Sequence, residues 1–144
     1  MATPKWYPKG MAAVMNGACD LDAASAYKLG LYTSSYTPDQ ANHDFRDDLG
    51  ANEASGGSGY TAGGFTLASL SVSASSLTVS WDAADISQAI TGGPFAFRYG
   101  VFYRARGGAA SADELIGYVD FGAQSITDAT LNITLTNQLQ VTVS

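Results

Sequence analysis

The nine residues 95–103 read FAFRYGVFY, and the seven residues 115–121 read LIGYVDF. Both stretches are rich in aromatic and β-branched residues, which are enriched in strands because their side chains pack well on a pleated surface. The Gly107–Gly108 pair between them is a turn signal. The two stretches therefore predict two strands joined by a turn region.

Further strands are predicted on the N-terminal side of this pair. Residues 27–32 read YKLGLY, and their alternation of Tyr or Leu with other residues is the period-2 pattern of a half-buried strand. Residues 67–72 and 77–81 alternate apolar residues with Ser or Thr around residues 73–76. This arrangement predicts a β-hairpin.

A last pair of predicted strands, residues 131–135 and 139–143, flanks the turn residues 136–138. Strands do not alternate with helices along the chain, which argues against a doubly wound fold. The predicted fold class is mainly β: an antiparallel β-sandwich or barrel-like single domain with one short helix and an extended N-terminal arm.

The helix is predicted after Thr37-Pro38-Asp39, where Thr37 would be the N-cap and Pro38 the first helical residue. It would run to about Leu49 and end at Gly50. Met11 to Ala18 is apolar enough for a short helix or a buried strand, and its pattern does not decide between them.

Residues 1–10 are expected to form the extended arm, and residues 11–144 the β-rich domain. The arm contains two prolines, and Pro8 lacks the amide donor that a helix interior requires. Between residues 55 and 64 glycine is dense, which predicts a structured turn with Tyr60 as an aromatic anchor.

Composition and charge exclude several classes of function. The chain has 144 residues, the length of one domain, and a formal charge of -6. Such a charge disfavours nucleic acids and anionic membranes as partners. The longest apolar stretches are far shorter than the roughly 20 residues of a membrane span. Cys19 is the only cysteine, so an intrachain disulfide is impossible, and Cys19 is expected to be a small buried residue.

No catalytic constellation stands out. On a helix, Asp39, His43 and Asp47 would share one face at four-residue spacing, which could bind a metal. The favoured interpretation is a solvated face on which His43 anchors the loop by a hydrogen bond. Neither Cys19 nor any serine lies in a nucleophile signature. We therefore expect no enzyme, no cofactor and no metal site.

Aromatic residues outside the strands are the better candidates for binding. Interfaces are often built on Trp and Tyr anchors. The strand aromatics are expected to fill the core, whereas those on the arm or the glycine loop need a surface to contact. The candidate partner-binding residues are Lys5, Trp6, Tyr7, Lys9 and Tyr60.

An ordered set of peptides resembles a family of small virion structural proteins of tailed bacteriophages. These peptides are Lys5-Trp6-Tyr7 with Lys9-Gly10, Ser35-Tyr36-Thr37-Pro38-Asp39, His43-Asp44-Phe45, Asn52-Glu53, Gly59-Tyr60-Thr61-Ala62-Gly63-Gly64, Arg98-Tyr99 with Tyr103, and residues 115–122. The chain departs from the family where Ser87-Gln88 replaces an expected tryptophan, and at Gln138-Leu139-Gln140-Val141, where relatives tend to have a Gly-Ile type strand.

The resemblance implies a small β-rich protein without catalytic residues. It also implies a capsid decoration or cement role, or a minor part of the head or tail. The expected partner is the major capsid protein, bound by the arm and loops on the outside of the phage capsid after synthesis in the bacterial cytoplasm. A homo-oligomer is expected, with a homotrimer as the first choice. The alternative is a carbohydrate- or receptor-binding module of a fibre or minor tail protein.

Overall fold

The computed structural model describes residues 4–135 and 139–142. It is mainly β, with antiparallel strands in a single sandwich-like domain, which confirms the predicted fold class. The strands are β1 (Lys5–Trp6), β2 (Tyr27–Tyr32), β3 (Phe65–Thr66), β4 (Ser71–Ser75), β5 (Thr78–Asp82), β6 (Ile86–Ile90), β7 (Phe95–Arg104), β8 (Leu115–Ile126), β9 (Ala129–Ile133) and β10 (Leu139–Thr142). The helix α1 is Pro8–Met15, and two 3-10 helices are Arg46–Leu49 and Ala110–Ala112.

The described part of the chain forms three antiparallel sheets. The largest has five strands in the order β1-β8-β7-β2-β3, with the long strands β7 and β8 near its middle. A three-stranded sheet has the order β10-β5-β4, and β6 pairs with β9 in a two-stranded ribbon. The strands predicted around residues 27–32, 95–103 and 115–121 thus form the centre of the large sheet.

The two faces of the five-stranded sheet differ in composition. One face packs on the main core, where Leu29, Phe102 and Ile116 meet Trp81 of the three-stranded sheet. The other face carries a second cluster, rich in tyrosine, that the segment 33–50 covers. An irregularity in β7 between Phe97 and Tyr99 shifts the register against β8. Such a shift changes which side chains face each layer.

The predicted hairpin at residues 67–81 is confirmed with shifted bounds, since β4 pairs with β5. The last two predicted strands do not form a pair of their own. Instead β9 pairs with β6, and β10 pairs with β5. The strand β6 was not predicted from the sequence, and the turn expected at residues 136–138 lies outside the described residues.

The prediction of an extended arm over residues 1–10 is wrong for its described part. Proline is tolerated at the first helical position, and Pro8 begins α1, so the boundary at residue 10 falls inside a helix. Lys5 and Trp6 pair with Tyr118 and Gly117 as the outermost strand of the large sheet. This segment is therefore part of the folded domain. Residues 1–3 lie outside the described chain.

The predicted helix from Thr37 to Leu49 is also wrong. A single helical turn does form, because His43 N donates to Asp39 O (2.9 Å). The helix cannot continue because the Asp48 carboxylate accepts hydrogen bonds from the N–H groups of Asp44 and Phe45. Phe45 is extended and bridges Glu114, so tertiary pairing overrides the local signal. No helix in the described ranges is long and apolar enough to cross a membrane.

Candidate partner-binding surface

A chain of hydrogen bonds joins the N-terminal segment to the loop that covers the tyrosine face. The hydroxyl groups of Tyr7 and Tyr36 bond to each other, and the Tyr36 hydroxyl lies 3.0 Å from His43 Nδ1. The Asp39 amide N–H also points at Nδ1 (3.4 Å), which makes this nitrogen an acceptor. The expectation that His43 anchors the loop by a hydrogen bond is confirmed.

The alternative of a metal site at His43 finds no geometric support. The Asp39 carboxylate accepts hydrogen bonds from Ala41 N (3.0 Å) and from Asn42 Nδ2 (2.7 Å). Within residues 4–135 and 139–142, no group of three or more His, Cys, Asp or Glu side chains could hold a metal ion. Cys19 is buried, as expected.

Two of the five candidate binding residues serve the fold instead of projecting from it. Tyr7 has 0% exposure, so its side chain cannot contact a partner in this structure. Tyr60 is half-buried, and its hydroxyl donates to Glu53 Oε1 (2.7 Å) while accepting from Leu31 N (2.9 Å). Burial raises the pKa of both tyrosines above the ordinary value.

The glycine loop is a structured turn, as predicted. Glu53 Oε1 also accepts from Gly63 N (2.6 Å), and the Tyr103 hydroxyl donates to Gly63 O. A further backbone bond runs from Gly64 N to Thr61 O (3.0 Å). The loop is therefore fastened to β2 and β7 through Tyr60, Glu53 and Tyr103.

The other three candidates remain at the surface near β1. Lys5 is exposed and Trp6 is half-buried, with Trp6 Nε1 donating to Gln140 O of β10 (3.2 Å). Lys9 Nζ lies 3.1 Å from Asp44 Oδ2 and 3.3 Å from Asn42 O. Lys5, Trp6 and Lys9 are named the β1 surface below.

The acidic segment, defined by Asp39, Asp44, Asp47 and Asp48, was expected to face solvent on the outside of the assembly, and it does so only in part. Asp47 and Asp48 are exposed, whereas Asp39 and Asp44 are half-buried. The Lys9–Asp44 pair is solvent-accessible on both sides, and pairs of this kind contribute about 0–1 kcal/mol to stability.

Two surface features escaped the sequence analysis. The hairpin of β4 and β5 leaves Val72, Leu77 and Val79 at 46%, 60% and 40% exposure. A groove of about 380 Å³ lies beside the β6–β9 ribbon, and its lining includes Phe97, Phe121, Gln124, Leu131 and Asn132. The absence of charged residues from 54 to 81 is the sequence signal from which the exposed apolar hairpin could have been predicted.

The buried tyrosines predict a loss of stability at alkaline pH. Burial raises the pKa of Tyr36 and of Tyr103 to about 12, and the pKa of Tyr7 also rises. Above pH ~10 the unfolded chain loses tyrosine protons that the folded chain retains. Below pH ~10 these tyrosines should not change the free energy of unfolding. Above pH ~10 the free energy of unfolding should fall, by up to about 1.4 kcal/mol per pH unit for each tyrosine.

Urea denaturation between pH 8 and 11.5, with tyrosinate absorbance recorded in parallel, measures this loss. Tyr36→Phe is the control, because it removes one titrating group and should reduce the slope. Ordinary tyrosine titration near pH 10 in a chain that keeps its circular dichroism would contradict the prediction.

Comparison with protein-family models, with curated proteins and with solved structures finds no match to this chain.

Proposed function

We propose that the protein is a structural component of a bacteriophage virion, a decoration protein that binds the major capsid protein on the outside of the head. The observation that supports this most is the placement of the peptides that resemble the virion family. These peptides are far apart in the sequence, yet they bond to one another around the tyrosine face.

The contacts between these peptides are specific. Tyr7 of the first peptide bonds to Tyr36 of the second, and His43 of the third bonds to Tyr36 as well. The third peptide bonds to the last, because Leu115 N donates to Asp44 O (2.9 Å). The peptides that carry the resemblance thus contact one another in the fold.

The remaining peptides join the same unit. Glu53 binds Tyr60 of the glycine loop. Arg98 donates two hydrogen bonds to Asp120, 2.9 and 2.8 Å long, and this guanidinium lowers the pKa of the Asp120 carboxyl. Bidentate pairs fix geometry as well as contributing energy. The unit is held together by several side-chain hydrogen bonds, which suits a protein whose task is to hold a surface in place.

The β1 surface is the part of this unit that we assign to the capsid protein. Lys5 and Trp6 lie on an outermost strand, where the Lys5 side chain is exposed and Trp6 O already accepts a hydrogen bond from Gln40 Nε2 (2.6 Å). The exposed acids Asp47 and Asp48 would face solvent on the virion exterior, away from packaged DNA. Several copies bound side by side gain affinity from high effective concentration, which favours a homo-oligomer.

If the Trp6 side chain and other uncharged contacts carry the binding, and Lys5 and Lys9 contribute little, binding to heads should depend little on salt. Apolar and backbone contacts are not screened, whereas raising the salt from about 50 to 500 mM shortens the Debye length roughly threefold. Purified protein should co-sediment to the same extent at both salt concentrations when it is added to heads that lack it. Mass spectrometry of virions should find many copies per head. Release on raising the salt would instead show that charged side chains carry the docking, either Lys5 and Lys9 of the β1 surface or the acidic segment.

The groove beside the β6–β9 ribbon favours a second candidate, a carbohydrate- or receptor-binding module of a fibre or minor tail protein. Phe121 offers an apolar ring, and Gln124 and Asn132 offer amides that can hydrogen-bond to sugar hydroxyls. A fibre protein is present in few copies per virion. A low copy number, with loss of binding to host-surface polysaccharide in Phe121→Ala, would support this candidate over decoration.

A further inference from the structure

The charges of this acidic protein avoid one of its sheets. The sequence contains 20 charged residues, the sum of 7 basic and 13 acidic, yet none lies between residues 54 and 81 or after Asp128. These ranges supply all of β4 and β10 and all of β5 except Asp82. Depletion of charge marks the centre of protein interfaces.

The same sheet exposes apolar side chains on one face. The register places Val72 and Leu139 opposite Trp81, and it places Ala74 and Val141 opposite Val79. Residues two apart along a strand share a face. The side chains opposite Trp81 and those opposite Val79 therefore lie on the same face as the buried Trp81. Val141 is 37% exposed, so this face continues beyond the core towards the hairpin tip, where Leu77 also lies.

The edge of this sheet is open at β4. All five residues of Ser71–Ser75 are exposed, and in the described ranges β4 pairs with β5 alone. Edge strands are usually protected by a charge, a proline or a bulge. The sequence of β4, SVSAS, has neither charge nor proline, and its register with β5 is regular.

The sequence of β4 is complementary to itself. If two copies pair antiparallel about Ser73, Val72 of each copy lies opposite Ala74 of the other, and serine lies opposite serine. The apolar faces of the two sheets then become continuous, as do the polar faces. A chain of charge -6 repels its copies elsewhere, but this uncharged strip lets two copies approach. A charged peptide would find no complementary group here.

We propose that β4 is the interface with a second copy of this chain, in a two-fold dimer with a six-stranded sheet running across it. Isologous interfaces of this kind require a self-complementary surface, which β4 provides. The inference concerns the isolated protein and does not depend on capsid binding.

The test is sedimentation equilibrium of the full chain between about 1 and 200 µM. The expected mass at high concentration is twice the chain mass of 14.9 kDa. Ser73→Lys should raise the dimer dissociation constant at least tenfold, because like charges would face each other across the two-fold axis. Ser87→Lys, at an exposed serine of β6, is the matched control and should leave the dimer unchanged.

A mixing experiment makes the test specific to this geometry. Ser73→Lys and Ser73→Asp chains should each be monomeric, but an equal mixture should form a heterodimer, since opposite charges then face each other. Circular dichroism confirms that each variant is folded. A monomeric wild type, a trimer, or a dimer insensitive to Ser73→Lys would overturn the proposal. The proposal would also be overturned if the protein is monomeric and Ser73→Lys abolishes its binding to the capsid, because β4 would then bind the capsid protein.

Discussion

Replacing Gly10 by alanine is expected to lower the free energy of unfolding by about 3 kcal/mol and the melting temperature by roughly 10 °C. In an exposed helix the same change would stabilise by about 1 kcal/mol, because alanine is the better helix former. Gly10 is buried in α1, where a Cβ atom would lie 1.8 Å from Leu115 O and 3.0 Å from Ile116 Cα. Both are backbone atoms of β8, so the helix would have to move away from the sheet.

Urea denaturation followed by far-UV circular dichroism measures this effect. The control is Ala12→Gly, which makes the reverse exchange at an exposed position of the same helix and should cost about 1 kcal/mol. A Gly10→Ala protein as stable as the wild type would contradict the close packing of α1 on β8.

The second large effect is expected for Gly64→Ala, with a loss of about 4 kcal/mol in the free energy of unfolding. Gly64 has a φ of +86°, and a Cβ atom there would lie 2.2 Å from Leu29 O and 2.7 Å from Gly30 Cα. The substitution therefore combines backbone strain with overlap against β2. It would also loosen the turn that holds Tyr60.

Gly63→Ala separates the two contributions. The φ of Gly63 is +94°, nearly that of Gly64, but the nearest atom to its Cβ position is the Tyr103 hydroxyl oxygen at 3.6 Å. Only the backbone strain remains in Gly63→Ala, so we expect the free energy of unfolding to fall by about 1–2 kcal/mol. Equal losses at the two positions, compared by thermal and urea denaturation, would show that Gly64 does not approach β2 closely.

The central strands could be predicted because their signals are local. The alternation over residues 27–32 and the aromatic stretches at 95–103 and 115–121 identified β2, β7 and β8 without any knowledge of their partners. The strand β6 was missed because its sequence, ISQAI, is short and does not alternate cleanly. The pairing of the strands was harder still to predict, since β10 pairs with β5, which lies about 60 residues away along the chain.

The candidate site was predicted less well because local sequence does not show which way an aromatic side chain points. Tyr7 and Tyr60 stand beside prolines or glycines, as exposed anchors often do. Their partners draw them into the fold: Tyr36 lies 29 residues from Tyr7, and Glu53 lies seven residues from Tyr60. A helical turn does begin near the predicted start, but Asp39 caps it instead of the predicted Thr37, and the Phe45–Glu114 bridge keeps the turn from continuing.

The pairing of β10 with β5 has a consequence for biosynthesis. Leu139 is fully buried, and Gly117 of β8 has room for its side chain only because glycine lacks a Cβ. Trp6 bonds to Gln140, which lies 134 residues further along the chain. The core therefore cannot close before residues 139–142 have left the ribosome. Before residues 139–142 emerge, one edge of β5 has no partner, and a ribosome that stalls earlier releases a chain that chaperones and proteases will recognise as unfinished.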